Sequence, residues 1–180
     1  MCLYSIGHSN RRLEDYLALL DAAGIRGVAD VRAFPASRKW PHFNREALER
    51  SLADVGIRYL WIPELGGRRR PRKGIESRHK AWTVAAFRHY ADYAETEEFE
   101  KGLKQLLELA ASVPTVFMCA EALYWQCHRR LISDHLVVRG HEVMHIGGRS
   151  KPEPHRLTPF ARVIHGDIVY DGGVQLELGK

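Results

Sequence analysis

Residues 115–119, TVFMC, follow Pro114 and run into Ala120 and Glu121. A short, continuous apolar run bounded in this way is the pattern of a strand buried on both faces, and such strands belong to parallel sheets covered by helices on either side. Two helical patterns precede it, around Trp82 to Tyr93 and around Phe99 to Leu109. A third, CHRRLISDHLVVRG, follows from about Cys127 to Gly140, and EVMHI, residues 142–146, reads as the next strand. Toward the N-terminus, CLYSI (2–6) is β-rich and stops at Gly7. LEDYLALLDAAG then places Leu13, Tyr16, Leu17 and Leu20 at helical spacing, with Asn10 as the expected cap and Gly24 as the expected left-handed stop. VADV (28–31) and IRYLWI (57–62) are two further strands. Between them lie the proline-bearing loop FPASRKWPHF (34–43) and a helix that Asn44 caps and Gly56 ends.

The order β-α-β-α-β-(α-α)-β-α-β predicts an α/β fold, a three-layer α/β/α sandwich with a mostly parallel, Rossmann-like sheet of about five strands. At 180 residues the chain suits one domain over 1–180. Residues 161–180 form a tail in which RVIHGDIVY (162–170) is expected to make a small β-hairpin turning near Gly166 and Asp167.

An apolar fraction of 45% with 27% charged residues excludes whole-chain disorder. No apolar run approaches the roughly 20 residues that span a bilayer, and no basic segment with a hydrophobic signal core opens the chain, so a cytoplasmic protein without a membrane partner is expected. Three cysteines, an odd number, argue for thiols in a reducing compartment rather than a disulfide framework. The net charge of +5 is concentrated: RRRPRKGIESRHK (68–80) carries seven Lys or Arg against Glu76 alone, which leaves the rest of the chain at −1. Arg68, Arg69, Arg70, Arg72 and Lys73 are therefore candidates for contacting phosphates of a substrate or a nucleic acid; the alternative is a solvated surface loop.

In an open parallel sheet, ligands bind outside the carboxyl ends of the strands. Those ends carry unusual residues here: His8 and Ser9 after the first strand, Asp30 and Arg32 at the second, and Glu64 to Gly67 after the third. Cys119 and Glu121 end the fourth, and His145 lies near the end of the fifth. The opposite connections, such as 22–26 and 110–113, are plain. Each residue has a bland alternative, since Ser9 is an ordinary helix-start residue, Asp30 and Arg32 form a ready structural pair, and a lone cysteine is most often a small buried hydrophobe. Convergence on one rim is what argues for chemistry.

CAEALYWQCHRR (119–130) concentrates that chemistry. Cys127, His128 and Arg129 fall at or before the first turn of a helix, where unpaired N–H groups favour anions and lower a thiol pKa. The candidate catalytic groups are Cys119 or Cys127 as thiolate, with Glu121 and His8 for proton transfer. Candidate substrate- or anion-binding groups are Ser9, Asp30, Arg32 and Ser37 from the first half of the chain, and His128, Arg129 and His145 from the second. This composes an enzyme acting on a phosphate-bearing or nucleotide-like substrate. The rivals are a nucleic-acid-binding module using the basic loop with Trp40, Phe43 and Trp61 as stacking surfaces, and a non-catalytic Cys/His metal-binding domain. A Cys/His mixture suits zinc, but C-x7-C-H lacks the C-x2-C knuckle of structural zinc sites, so no metal ligand set and no cofactor is assigned. A cysteine-phosphatase loop is excluded because Trp125, not arginine, lies six residues after Cys119, and no G-x-G-x-x-G follows the first strand.

The separated motifs Ile6-Gly7-His8-Ser9, Asp30-Val31-Arg32 with Pro35 and Ser37, Leu65-Gly66-Gly67, Tyr90, Cys119-Ala120-Glu121, Cys127-His128-Arg129 and His145-Ile146 with His155 resemble the domain-of-unknown-function 488 family over roughly residues 3–160. The resemblance implies a small cytoplasmic α/β domain and supports the motif residues; the family's name brings no substrate with it.

Overall fold

The computed structural model describes residues 1–72, 74–148 and 151–173. Five parallel strands, β1 (Cys2–Gly7), β2 (Gly27–Asp30), β3 (Arg58–Trp61), β4 (Thr115–Cys119) and β5 (Glu142–Ile146), lie in the order β3-β2-β4-β1-β5. A sixth, β6 (Glu153–Pro154), adds antiparallel to β5 through Met144 and His145. That short edge strand falls in the stretch after Gly147, where no strand pattern is visible in the residues, because a two-residue pairing leaves no periodicity. The expected hairpin is present as β7 (Ala161–Ile164) and β8 (Asp167–Tyr170), turning at His165 and Gly166, both with positive φ.

The helices are α1 (Leu13–Ala22), α2 (Arg45–Ala53), α3 (Ala85–Tyr93), α4 (Glu97–Ser112) and α5 (Arg129–Val138). The alternation of strand side chains sorts them into two cores. Ile6, Val28, Val116 and Met118 face α1 and α2, meeting Tyr16, Leu20, Leu48 and Leu52. Leu3, Ala29, Phe117 and Cys119 face the other side, with Phe99 and Leu103 of α4 and Leu131, Ile132 and Leu136 of α5. Ala161, Ile168 and Tyr170 of the hairpin join this second core, so the C-terminal hairpin is packed rather than trailing.

Thr96 caps α4, its hydroxyl accepting from the Phe99 N–H at 3.4 Å, with Glu97, Glu98 and Glu100 in the first turn on the favourable side of the dipole. Gly24 and Gly56 follow α1 and α2 with φ of +67° and +73°, as left-handed stops require. Two expected caps are not made. Arg12, not Asn10, occupies the N-cap position of α1, without a side-chain bond to the helix. The reason lies in the preceding turn: Ser9 sits at φ +51° with its N–H on the Ala120 carbonyl, so residues 9 and 10 are drawn toward the end of β4. Asn44 does precede α2, but its Oδ1 accepts the Ser37 N–H at 2.6 Å instead of a helix N–H.

The connection leaving β2 leads to α2 on one face and that leaving β4 leads to α5 on the other. Adjacent strands whose exits part in this way open a crevice at their carboxyl ends.

Candidate functional site

The crevice is a cleft of about 600 Å³, walled by Ala33 and Phe34 after β2, Gly67 and Arg68 after β3, and Val84 and Phe87 at the start of α3. Cys119 from the end of β4, with Cys127 and His128 from the start of α5, line its floor. All three are largely buried, at 7%, 2% and 9% exposure. His128 Nδ1 lies 3.5 Å from the Cys127 sulfur and 3.9 Å from the Cys119 sulfur. Its Nε2 is 2.9 Å from the Val31 carbonyl, which can only accept, so Nε2 donates there and Nδ1 is the ring nitrogen that faces the two sulfurs. Burial opposes ionisation of Cys127, but a hydrogen bond from Cys119 and the neighbouring His128 and Arg129 outweigh it and hold this thiol well below its ordinary pKa. Cys119 moves well above it, by that same hydrogen bond and by burial.

Two consecutive side chains converge here because the backbone changes conformation between them: Cys127 is extended (φ −130°, ψ 150°) and His128 helical (φ −57°, ψ −17°). Gly67 makes room for the imidazole, since a Cβ there would lie 2.4 Å from His128 Nδ1. The segment joining the cysteines is held from behind. A Cβ on Gly7 would lie 1.8 Å from the Glu121 carbonyl oxygen, so only glycine lets β1 pass so close. Arg129 donates to that carbonyl at 2.6 Å and to the Ser5 hydroxyl at 2.9 Å. The guanidinium expected to clamp an anion is thus placed beneath the turn.

Of the remaining expected residues, Glu121 is exposed on the cleft wall, and its carboxylate makes no hydrogen bond among the described residues. Asp30 and Arg32 form a buried ion pair, N–O 2.5 Å, to which Tyr59 adds a hydrogen bond at 2.6 Å. Arg32 also donates to the Phe43 carbonyl and reaches His8 Nε2 at 3.3 Å, leaving little of it for a ligand. His8 stacks on Phe43 at 4.2 Å, and burial, then the nearby Arg32 charge, lowers its pKa to about 4. His8, Ser9 and Ser37 line a smaller recess of about 330 Å³ that shares Arg32 and Phe34 with the main cleft.

His145 lies apart. It faces a separate hollow of about 150 Å³ with Tyr124 and Arg129. Its Nε2 meets His155 Nδ1 at 2.9 Å, and His155 Nε2 meets Asp134 Oδ1 at 2.9 Å. Asp134 also accepts from the Thr158 N–H and hydroxyl and the Tyr170 hydroxyl. Nothing in the apolar periodicity of α5 announced that network beyond a carboxylate in a buried stretch.

The basic loop is partly consumed. Arg69 donates to the carbonyls of Pro63, Glu64 and Gly66 and lies 3.7 Å over the Tyr93 ring. Arg72 donates to the Asp92 carbonyl and lies 3.8 Å from Glu95. Arg68 has no carboxylate partner among the described residues; it sits 5.7 Å over the Phe34 ring at the cleft. Lys73 lies outside the described residues. Phe43 is fully buried and Trp61 lies beneath Arg45, so neither offers a free stacking face.

The family model described as "Domain of unknown function DUF488" matches residues 12–136, most of the chain and every element that lines the main cleft. The chain belongs to this family. No curated protein and no solved structure matches it. The DUF488 match contains Asp30, Arg32, Cys119, Glu121, Cys127, His128 and Arg129, and ends before His145 and His155. No helix among the described residues of this DUF488 protein is long and apolar enough to cross a membrane.

Proposed function

We propose that this DUF488 protein is an enzyme acting on a phosphate-bearing, nucleotide-like substrate, bound in the cleft between the exits of β2 and β4, with Cys119, Cys127 and His128 as the reacting centre. One observation carries this: two sulfurs and an imidazole nitrogen gather on the floor of a 600 Å³ cleft. Such a cluster has two chemical uses, attack on an electrophile and coordination of a soft cation, and either locates the reaction here. Arg68 supplies an unpaired cation at the mouth, and Phe34, 70% exposed, supplies an aromatic face beside it. Together they suit an anion joined to a flat ring. A nucleic-acid surface draws less support, because Arg69 and Arg72 are engaged internally, which leaves Arg68 and Arg70 open among the described arginines of the loop.

Inorganic pyrophosphate and adenosine monophosphate, titrated against tryptophan fluorescence, test the substrate class. Saturable binding is expected, weakened about tenfold by Arg68→Ala, the cost of losing one charge-assisted contact. Binding that is absent, or indifferent to Arg68, overturns it. Release of nitrophenol from a panel of para-nitrophenyl phosphate mono- and diesters tests the centre, and should be lost in Cys127→Ser while pyrophosphate still binds. No release from the wild-type protein, or release indifferent to Cys127, overturns the assignment of this cluster as the reacting centre.

A further inference from the structure

We infer that Cys119, Cys127 and His128 are three ligands of a zinc-class divalent ion whose fourth coordination position opens into the cleft. This rests on the assignment of that cleft as the substrate site and says what its sulfurs are for. Zinc bonds of about 2.3 Å to sulfur and about 2.0–2.1 Å to nitrogen, at tetrahedral angles, set S–N edges of about 3.5 Å and an S–S edge of about 3.8 Å. The observed S–N separations are 3.5 and 3.9 Å, and all three donor atoms lie within 4.8 Å of one another. A small rotation of either sulfur closes the triangle around a single ion. Donor type agrees with geometry: two cysteine sulfurs and one imidazole nitrogen favour a borderline-soft tetrahedral cation over magnesium or calcium, which take oxygen.

The surroundings match what such a site needs. A ligating histidine donates its other ring N–H to an acceptor that fixes the tautomer; His128 does this to the Val31 carbonyl at 2.9 Å. The C-x7-C-H spacing, which counts against a knuckle, is explained by the fold. One ligand hangs from the end of β4 and two from the start of α5, across a turn that Arg129 and the bare α-carbon of Gly7 hold in place. Three protein ligands with an open position are the composition of catalytic rather than structural zinc sites. The same cleft is lined by Glu121 and Gln126, and an oxygen of the substrate or a water would complete the tetrahedron from it.

Cobalt(II) titration of chelator-treated protein tests this without any activity assay. One equivalent per chain is expected to give an intense near-ultraviolet thiolate-to-cobalt band with visible bands of tetrahedral strength. Zinc should bleach both. Cys127→Ser and Cys119→Ser should each weaken cobalt binding at least a hundredfold, whereas Cys2→Ser, at an exposed thiol, should not. Circular dichroism checks that each variant is folded, and the wild-type titration needs no variant. Absence of the thiolate band in wild type, or its persistence in the Cys119→Ser, Cys127→Ser double variant, overturns the metal site. Pyrophosphate binding by the metal-free and the cobalt-loaded protein separates the two proposals: binding without a cobalt band sinks the metal alone, and a cobalt band without anion binding in either form sinks the substrate class alone.

Discussion

Two histidine clusters stand at the carboxyl edge of this sheet, and they differ in what they converge on. At the end of β5, His145, His155, Thr158 and Tyr170 pass hydrogen bonds inward to the Asp134 carboxylate, with His145 Nδ1 buried and without a partner among the described residues. At the end of β4, the imidazole of His128 donates from Nε2 to the Val31 carbonyl and sets Nδ1 against two sulfurs beside open space. The first arrangement is closed around the Asp134 carboxylate, and its energy goes into holding β5, α5 and the hairpin together. The second is open, and its unspent valence is available to a ligand. Similar residue types in similar positions thus divide into a structural and a chemical site according to whether partners are supplied from within the chain.

Acid should expose the closed cluster first. Burial, then the neighbouring His155, lowers the pKa of His145 to about 3; burial, then Arg139, lowers His135 to about 3; and His8 lies at about 4. Each is neutral in the fold and titrates near 6.5 when unfolded, so the unfolded chain takes up protons that the native state refuses. Stability is full above about pH 6.5 and falls as the pH drops toward 4, by roughly 1.4 kcal/mol per pH unit for each imidazole. Urea midpoints between pH 7 and 4.5 should lose several kcal/mol in total, and His145→Gln should flatten the slope by one proton. A flat profile would show that these rings are not held neutral.

Removing the acceptor at the centre of the closed cluster comes next. Asp134→Ala strands His155, Thr158 and Tyr170 in the interior and should cost about 3–5 kcal/mol in urea unfolding, with cobalt binding at the open cluster unchanged once the protein is folded. Equal damage to both clusters would erase the distinction between them. Gly67→Ala should do the reverse. Its methyl group meets His128 Nδ1, so the ring must shift, costing about 1–3 kcal/mol in unfolding and a much larger fraction of the cobalt affinity. The smallest effect on stability belongs to Arg68→Ala, within about 0.5 kcal/mol by urea unfolding, since its side chain has no ion pair among the described residues to lose.

The contrast also explains which parts of the molecule were legible in the sequence. TVFMC and the alternation around it gave the sheet, because burial on both faces writes itself as an unbroken apolar run. The convergence of Cys119, Cys127 and His128 followed from the rule that strand exits share an edge. What could not be read was the spending of polar groups. Arg32 and Arg129 look like anion clamps as residue types, yet one is absorbed by Asp30 and the other by the Glu121 carbonyl and Ser5. Counting charges in the 68–80 loop could not reveal that Arg69 is satisfied by three main-chain oxygens, since carbonyl lone pairs are the same at every position of a sequence. His145 was grouped with the rim because strand position places a residue along an edge without saying to which side of a turn it faces.

The anchoring of Arg69 has a kinetic consequence. Tied to three carbonyls and lying on Tyr93, it fixes the backbone beside Arg68, so the positive potential at the mouth exists before any anion arrives and needs no rearrangement to form. Capture of an anion should then be steered over a Debye length of roughly 8–10 Å, making its arrival rate fall steeply with ionic strength while its departure rate stays nearly constant.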